Sequence, residues 1–470
     1  MEERGLRRFV GDRRFYRRAL TVALPILLQN VVTNFVNLLD NIMVGQTGTA
    51  PMTGVAVVGQ LFFIFNLVVF GSSAGPGIFC AQFWGARDER SFKAAFRYKA
   101  VITMCLCLLS MAVMSLLRRP LIGLYLTGTA EEIAQVSGYA LSYLGIMLWG
   151  MIPYTVALIY ASTLREAGQT FVPMLASWTA VAVNLCLNWV LIFGHLGAPA
   201  MGVDGAAVAT VVARFCEAGI NVLWSHLHKD RVLFTRRIWD GAPMPKQLLW
   251  DMFRRSTPLM LNETLWCLGT AVLNQIYSTR GIVVMAGLNI AYVLYDLFMA
   301  ASFSIGNTIA ILVGQELGAG QTEQAVDTDR KLIALGVMIS VAVGGVMAAA
   351  AGLFPRFYNT SAEVRSIAAG LIVVMAAMFP LDTLSNGLYN TLRAGGRTMV
   401  IFLFDCCHTW LINVPVAWFV AHHTALGIVP VYILSVGTVF FKLIFGGILV
   451  HRRYWVNTLS GIAPNEADAT

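Results

Sequence analysis

The chain has 470 residues, of which 57% are hydrophobic and only 12% carry a charge, and its mean hydropathy is +0.68. Soluble globular proteins carry charge on about a quarter of their residues, so this composition excludes a soluble protein and indicates a polytopic membrane protein. The formal net charge of +8 would suit nucleic acid, but the basic residues fall almost entirely in alternate loops, as expected for a membrane protein. We therefore expect a lipid bilayer and no nucleic acid around this chain.

Apolar segments of membrane-spanning length recur along the whole sequence. A helix needs about 20 apolar residues to cross a bilayer, and basic or turn-rich breaks separate about twelve such segments. They lie near 18–43, 54–82, 99–117, 136–164, 170–193, 203–227, 248–279, 283–315, 331–353, 364–392, 398–420 and 427–450. The predicted fold class is an all-α polytopic membrane protein.

The first residues, 1–17, are rich in arginine. The apolar stretch after them is too long for a signal peptide and lacks a small-residue cleavage site, so we interpret it as a retained membrane anchor. The basic loops near 87–99 and 229–255 fall on the same predicted side as this terminus, and the opposite loops hold few basic residues. The positive-inside rule then predicts an inner-membrane protein with both termini in the cytoplasm.

The sequence is internally duplicated. Pro25 pairs with Pro258, and AQFWGAR (81–87) pairs with GQELGAG (314–320), both at an offset of 233 residues; LREAGQT (164–170) matches LRAGGRT (392–398) at an offset of 228. Since each half has six predicted spans, the two halves have the same orientation in the membrane. The predicted parts are a basic terminus 1–17, an N-lobe 18–228, a cytoplasmic linker 229–247, a C-lobe 248–451 and a cytoplasmic tail 452–470.

Pro25 and Pro258 occupy matched positions inside the first and seventh predicted helices. Each removes one backbone hydrogen bond and crowds the carbonyl four residues earlier, so both are candidates for a helix bend. Membrane helices also tolerate proline without a gating role, and the sequence leaves these alternatives open.

Asp40 is a charged residue within the otherwise apolar stretch LTVALPILLQNVVTNFVNLLDNIMVG. An ionised side chain in a spanning helix costs about 2.5–3.5 kcal/mol on insertion scales, so it usually handles an ion or a charged substrate. A carboxyl that fixes helix packing through neighbouring amides is the alternative. Asn184 and Asn188 lie four residues apart, on one helix face, and can supply oxygens for a cation beside such a carboxylate.

The segments LLDNIMVG, AQFWGARDE and VGQELGAGQ, with the LREAGQT and LRAGGRT pair, together resemble the multidrug and toxic compound extrusion (MATE) family. The resemblance implies twelve helices in two six-helix pseudo-symmetric lobes around a V-shaped cavity, and export of organic cations or drugs in exchange for sodium ions or protons. The chain is most similar to the NorM-like bacterial branch, whose carboxylates in the first, seventh and tenth helices are matched by Asp40, Glu263 and Asp382. Some relatives have an aspartate where this chain has Asn188.

These matches assign the coupling ion to Asp40, Asn184, Asn188, Glu263 and Asp382. The identity and the site of the coupling ion remain open. The alternatives are Na+ at Asp40 with Asn184 and Asn188, Na+ at Glu263 with Asp382, or protons. Tyrosines beside an acid can stack on an organic cation and neutralise it, although aromatic residues at this spacing are more often packing residues. The substrate-cavity candidates are Gln29, Asn30, Asn34, Asn289, Tyr292, Tyr295 and Asp296.

Other polar residues in the spans favour a structural reading. We expect Asp405 to pair with Lys442, Arg214 with Glu217, and His408 to bond a neighbouring group. The sequence lacks Walker A, HExxH and GxSxG patterns and its cysteines show no CxxC pairing, so we expect no enzyme activity, no use of ATP and no cofactor besides the coupling ion.

The sequence therefore favours a monomeric efflux antiporter that works by alternating access. A flippase for a lipid-linked oligosaccharide is the first alternative, and it would need basic residues such as Arg214 and Lys442 to line the cavity. A major-facilitator transporter shares the six-plus-six arrangement but not the duplicated LR(x)(A/G)G(x)T segment. A receptor or scaffold has no need for acids inside three helices.

Overall fold

The computed structural model describes residues 6–126, 129–232, 235, 238 and 245–459, apart from the side chain of Leu38 and those of residues 6 and 7. In these ranges the chain is helical and contains no β-strand, which confirms the predicted all-α class. The α-helices are α1 Arg13–Gly45, α2 Thr49–Ala86, α3 Glu89–Leu116, α4 Arg118–Gly123, α5 Ala130–Glu166, α6 Phe171–Phe193, α7 Val203–Leu227, α8 Lys246–Ser278, α9 Ile282–Gly318, α10 Thr322–Ala350, α11 Ala362–Ala394, α12 Thr398–Phe402, α13 Val414–His423, α14 Ile428–Gly437 and α15 Val439–His451.

Eleven helical segments among the described residues are long and apolar enough to cross a membrane, with α12 to α13 and α14 to α15 each counting as one. The seventh predicted span, α8, is 33 residues long but falls outside this set. Charged and amide side chains, among them Asn262 and Glu263, interrupt its apolar run. Its length still exceeds the roughly 20 residues that a span requires.

Contacts divide the chain into two units. The first comprises Met1–Leu27, Ala81–Asp88 and Phe253–Thr470, and the second comprises Leu28–Cys80 and Glu89–Met252. The start of α1 and the end of α2 thus group with the second half of the sequence. The domain boundaries taken from the sequence stay a prediction.

In the second unit, α5 packs along α7 and α3, and α6 packs on α7. Buried apolar residues from these helices and α2, such as Phe65, Leu144 and Met151, form its core. In the first unit, α9, α10 and α11 pack on one another, and α15 lies on α11. Burial of Leu288 and Leu371 is typical of the core there.

Within the first unit, the duplicated motifs at the ends of α2 and α9 meet each other. A Cβ on Gly85 would overlap the carbonyl group of Gln315, and a Cβ on Gly318 would overlap the carbonyl group of Gln82. These pairs are related by the offset of the sequence repeat, so the contact is reciprocal. Glycine at both positions lets the two backbones touch.

The helix after α12 has wide π-type turns over Leu403–Cys407 and Thr409–Asn413. Such turns are rare and occur frequently at functional sites, because they reposition side chains on a continuing helix. Asp405 lies in the first of them.

Pro25 and Pro258 lie inside α1 and α8, and both helices continue through these prolines, so the role of the prolines in a bend stays a hypothesis.

Candidate functional site

In the second unit, α1, α6 and α7 bring the predicted N-lobe residues together. The Asn188 Nδ2 group donates to Asp40 Oδ1 at 2.5 Å and lies 3.2 Å from Asn184 Oδ1. The Asn184 amide in turn donates to Thr210 Oγ1 at 3.2 Å. The four-residue spacing on α6 therefore places both asparagines on the face directed at Asp40 and α7, as the sequence predicted.

Asn188 has an unusual hydrogen-bonding pattern for a fully buried amide. Its side chain is 0% exposed, its nitrogen lies near two oxygens, and its own Oδ1 has no hydrogen-bond partner. A buried carbonyl oxygen without a partner is uncommon in native proteins. A half-turn of this amide would direct its oxygen at those of Asp40 and Asn184, and carboxylate and amide oxygens are the ligands that hard cations prefer.

In the first unit, the two predicted C-lobe carboxylates each accept a tyrosine hydroxyl. Tyr389 of α11 donates to Glu263 Oε1 of α8 at 2.7 Å, and Tyr295 of α9 donates to Asp382 Oδ2 of α11 at 2.9 Å. A neutral donor stabilises a carboxylate but leaves its charge in place. Both acids therefore remain able to attract a proton or a cation.

A third carboxylate, Asp405, lies in the same unit. Its Oδ1 pairs with Lys442 Nζ of α15 at 2.5 Å, and its Oδ2 accepts a hydrogen bond from Asn262 Nδ2 at 3.0 Å. Asp405 also acts electrostatically on Glu263, and Lys442 acts on Asp382. The pairing of Asp405 with Lys442 is as expected from the sequence.

The remaining structural expectations also have defined positions. Arg214 pairs with Glu217 at 2.9 Å and lies 5.0 Å from the centre of the Tyr154 ring. His408 Nε2 lies 2.9 Å from the Thr438 carbonyl oxygen. Arg214 and Lys442 are thus both held in ion pairs, which weakens their suitability as free cations for a pyrophosphate and hence the flippase alternative.

The substrate-cavity candidates belong to both units, and each is described within its own unit. Gln29 accepts a hydrogen bond from Arg165 at 3.2 Å, and Tyr292 lies 3.5 Å from Asn274 Oδ1. Tyr295 is already engaged by Asp382. Asp296 is exposed and interacts electrostatically with Tyr292 and Tyr295, Asn34 and Asn289 are exposed, and Asn30 is half-buried.

Four residues at these sites were not predicted from the sequence, although the sequence pattern could have indicated two of them. Tyr389 lies seven residues after Asp382, two helical turns along one face of α11. Arg393 of the LRAGGRT motif interacts with Glu263, just as Arg165 of the matching LREAGQT motif binds Gln29. Thr210 and Asn262 carry no such signal, because each is recognised only from the helix packed opposite it.

Helices of spanning length that carry half-buried carboxylates, each bonded to a neighbouring helix, are typical of a class, the polytopic membrane transporters. The family model for MatE matches residues 25–190 and 258–419, more than half of the chain. The protein belongs to the MatE family. The two matches begin at Pro25 and Pro258, so they reproduce the duplication found in the sequence.

Curated relatives and solved structures cover nearly the whole chain. A "Probable multidrug resistance protein NorM" of Thermotoga maritima is 25% identical over 91% of this chain and 90% of its own length. "Probable multidrug resistance protein YoeA" of Bacillus subtilis is 24% identical over 87% of this chain and 88% of its own length. The structure described as the "outward-facing conformation of a multidrug resistance MATE family transporter of the MOP superfamily" has a TM-score of 0.84 at 20% identity, covering 96% and 98% of the two chains.

These matches confirm the resemblance to the NorM-like branch and the two-lobed polytopic fold. They favour a transporter over the scaffold alternative, because the relatives carry the names of multidrug resistance proteins. The protein is thus a multi-pass membrane transporter. In its described residues, no three His, Cys, Asp or Glu side chains are grouped so as to hold a metal ion.

Proposed function

We propose that this protein is a secondary antiporter of the cytoplasmic membrane that exports cationic amphiphilic small molecules, by alternating access, in exchange for Na+ or H+. The names of its relatives point to multidrug resistance. The observation that carries the proposal is the presence of half-buried carboxylates inside the helices, each held by a neutral donor from another helix. The protein acts as a monomer with both termini in the cytoplasm.

The N-half site supports ion coupling through the orientation of Asn188. The amide nitrogen of Asn188 donates to Asp40 Oδ1 and lies 3.2 Å from Asn184 Oδ1, so it faces the two oxygens that would hold a cation. Na+ binding requires the Asn188 side chain both to turn and to draw back from Asp40, so that its unpartnered oxygen becomes a ligand beside those of Asp40 and Asn184. When a proton binds instead, Asp40 becomes neutral and no turn is needed.

The C-half site supports competition between the ion and a cationic substrate. Glu263, Asp382 and Asp405 carry three negative charges, and Lys442 and Arg393 are the basic groups that act on them. Full ionisation would leave one net negative charge in an apolar region, where an uncompensated charge is unfavourable. A proton, Na+ or an organic cation restores neutrality, and two such ligands exclude each other by linkage.

The test is ethidium efflux from proteoliposomes under an imposed Na+ gradient and, separately, an imposed pH gradient. We expect efflux under at least one gradient, and its loss in Asp40→Asn and in Asp382→Asn. Asp327→Asn is the matched control, because Asp327 lies half-exposed in a pair with Lys331 on α10. Efflux under neither gradient, or full efflux in both Asp40→Asn and Asp382→Asn, contradicts the proposal.

A further inference from the structure

Asp405 and Lys442 form an ion pair between two helices, and both side chains are largely shielded from solvent. Asp405 is 7% exposed and the Lys442 side chain is 15% exposed, so both charges are removed from water. Lys442 Nζ also lies 4.9 Å from the centre of the Phe404 ring. Breaking one partner of a buried pair leaves an uncompensated charge, whereas removing both partners is often tolerated.

The groups around this pair are the ion-site residues themselves. Asn262, which donates to Asp405, is the neighbour of Glu263 on α8. Lys442 acts electrostatically on Asp382 and on His408, and Asp405 acts on Glu263, Tyr389 and His408. Each member of the pair therefore lies within electrostatic range of one of the two carboxylates.

The backbone supports this arrangement. Asp405 lies in the π-type turn Leu403–Cys407, and such turns often present functional side chains. The repeat counterpart of Lys442, Arg214, pairs instead with Glu217 on its own helix, three residues away. The contact between separate helices is thus special to the C-half, which is also the half with Glu263 and Asp382.

We infer that Asp405 and Lys442 are positioning residues that set the charge balance of the Glu263 and Asp382 ion site. Lys442 is a tethered cation that neutralises Asp405, so the coupling ion is taken by Glu263 and Asp382 and not by Asp405. Asp405 in turn holds Lys442 away from Asp382. The inference rests on the proposed function, since it assigns the charge control of the same site.

Removing either charge has an opposite effect on ion affinity. In Lys442→Met the unpaired carboxylate of Asp405 adds a negative charge, so the coupling cation binds more tightly. In Asp405→Asn the unpaired Lys442 adds a positive charge beside Asp382, so the cation binds more weakly. A unit charge a few ångströms away in a protein of effective dielectric ~20 changes binding by about tenfold or more.

The experiment measures ethidium efflux in proteoliposomes as a function of Na+ at fixed pH, and as a function of pH without Na+. We expect the Na+ or proton concentration for half-maximal efflux to fall about tenfold in Lys442→Met and to rise about tenfold in Asp405→Asn. The double variant Lys442→Met/Asp405→Asn should return to within about threefold of the unmodified protein. Lys442→Arg, which keeps the charge, should retain the original response.

The controls separate charge balance from folding. Lys331→Met and Asp327→Asn disrupt another Lys–Asp pair, at 2.6 Å on the surface of α10, and should leave the half-maximal concentration unchanged. A structural role alone would lower the amount of folded protein and the maximal rate without opposite shifts in ion response. Membrane vesicles replace proteoliposomes for any variant that does not survive purification.

Shifts in the same direction, no shift in either single variant, or a double variant that stays shifted would overturn this inference. Glu263→Gln and Asp382→Asn are measured alongside. If these two variants also keep a normal ion response, the proposed function fails as well. If they lose the response while the Lys442 and Asp405 variants keep it, only the charge-balance inference fails.

Discussion

Asn188 is the residue at which the N-half site can be tested most directly. Its amide is the hydrogen-bond donor to the buried carboxylate of Asp40. Replacement by leucine, which has a similar volume, removes this donor and leaves a buried acceptor without it. We expect Asn188→Leu to destabilise the protein by about 1–3 kcal/mol and to abolish the Na+ response. Melting in detergent and the efflux assay measure these two effects.

Asn188→Asp should act in the opposite direction on the ion. A second carboxylate beside Asp40 increases the negative potential at the site, so we expect half-maximal efflux at an about tenfold lower Na+ concentration. Asn359→Asp is the control, because Asn359 lies exposed in the connection between α10 and α11. An unchanged Na+ response in Asn188→Asp would argue that the coupling ion does not visit this residue.

Part of each site was predictable at the residue scale, and part was not. The spacing of Asn184 and Asn188 placed them on one face, and the isolated charge of Asp40 marked it as a candidate that the structure places beside Asn188. The partner residues Thr210 and Asn262 were not predictable, since they are chosen by the packing of separate helices and not by spacing along one helix. The substrate candidates, selected only as polar or aromatic residues, stay a prediction.

At the scale of helices, the close contact between the ends of α2 and α9 makes a sharp prediction. An added methyl at Gly85 overlaps the backbone of Gln315, which cannot move aside as a side chain can. We expect Gly85→Ala to destabilise the protein by at least about 1–3 kcal/mol, as overpacking usually does. Its melting temperature in detergent should fall accordingly.

Gly59 provides a control on the same helix. A Cβ there meets nothing within 4 Å, so Gly59→Ala should be neutral or stabilising by up to about 1 kcal/mol. Equal melting temperatures for Gly85→Ala and the unmodified protein would show that the two backbones are not in close contact. The sequence marked both glycine motifs by their repetition, but not their contact with each other.

Gln82 joins the end of α2 to the segment after α15. Its fully buried amide donates to the Ala394 carbonyl at 2.8 Å and accepts from the Leu459 backbone N–H at 2.7 Å. Gln82→Leu leaves these buried groups unsatisfied, so we expect a loss of about 2–4 kcal/mol in stability. Gln60→Leu on the exposed side of α2 is the control, and similar melting of the two variants would contradict this role.

At the scale of the whole molecule, the duplication could be detected from the sequence. Two copies of one fold need similar helix lengths and similar glycine contacts, and these leave matching motifs. The carboxylates of the proposed ion sites do not recur, although basic residues such as Arg165 and Arg393 do. Asn30 matches Glu263, Gln29 matches Asn262, and the equivalent of Asp40 in the second half is Leu273. Two copies of one fold therefore hold different chemistry, and neither half predicts the site of the other.

The orientation of the whole chain in the membrane follows from its basic loops. Arginine and lysine concentrate near 87–99 and 229–255, so these loops and both termini should be cytoplasmic. The connection after α10, near Phe354–Phe357, then lies on the opposite side. We expect green fluorescent protein fused after residue 470 to fluoresce in a bacterial host, and alkaline phosphatase fused there to be inactive.

A phosphatase fused after residue 353 serves as the control, and it should be active because an odd number of predicted spans precedes it. The two fusions differ in their predicted side and share the same N-terminal orientation signal. Active phosphatase at residue 470 together with inactive phosphatase at residue 353 would show that the orientation in the membrane is the reverse of the predicted one. The proposed ion sites would then be oriented oppositely in the membrane. An inward Na+ or proton gradient could no longer drive export through this protein.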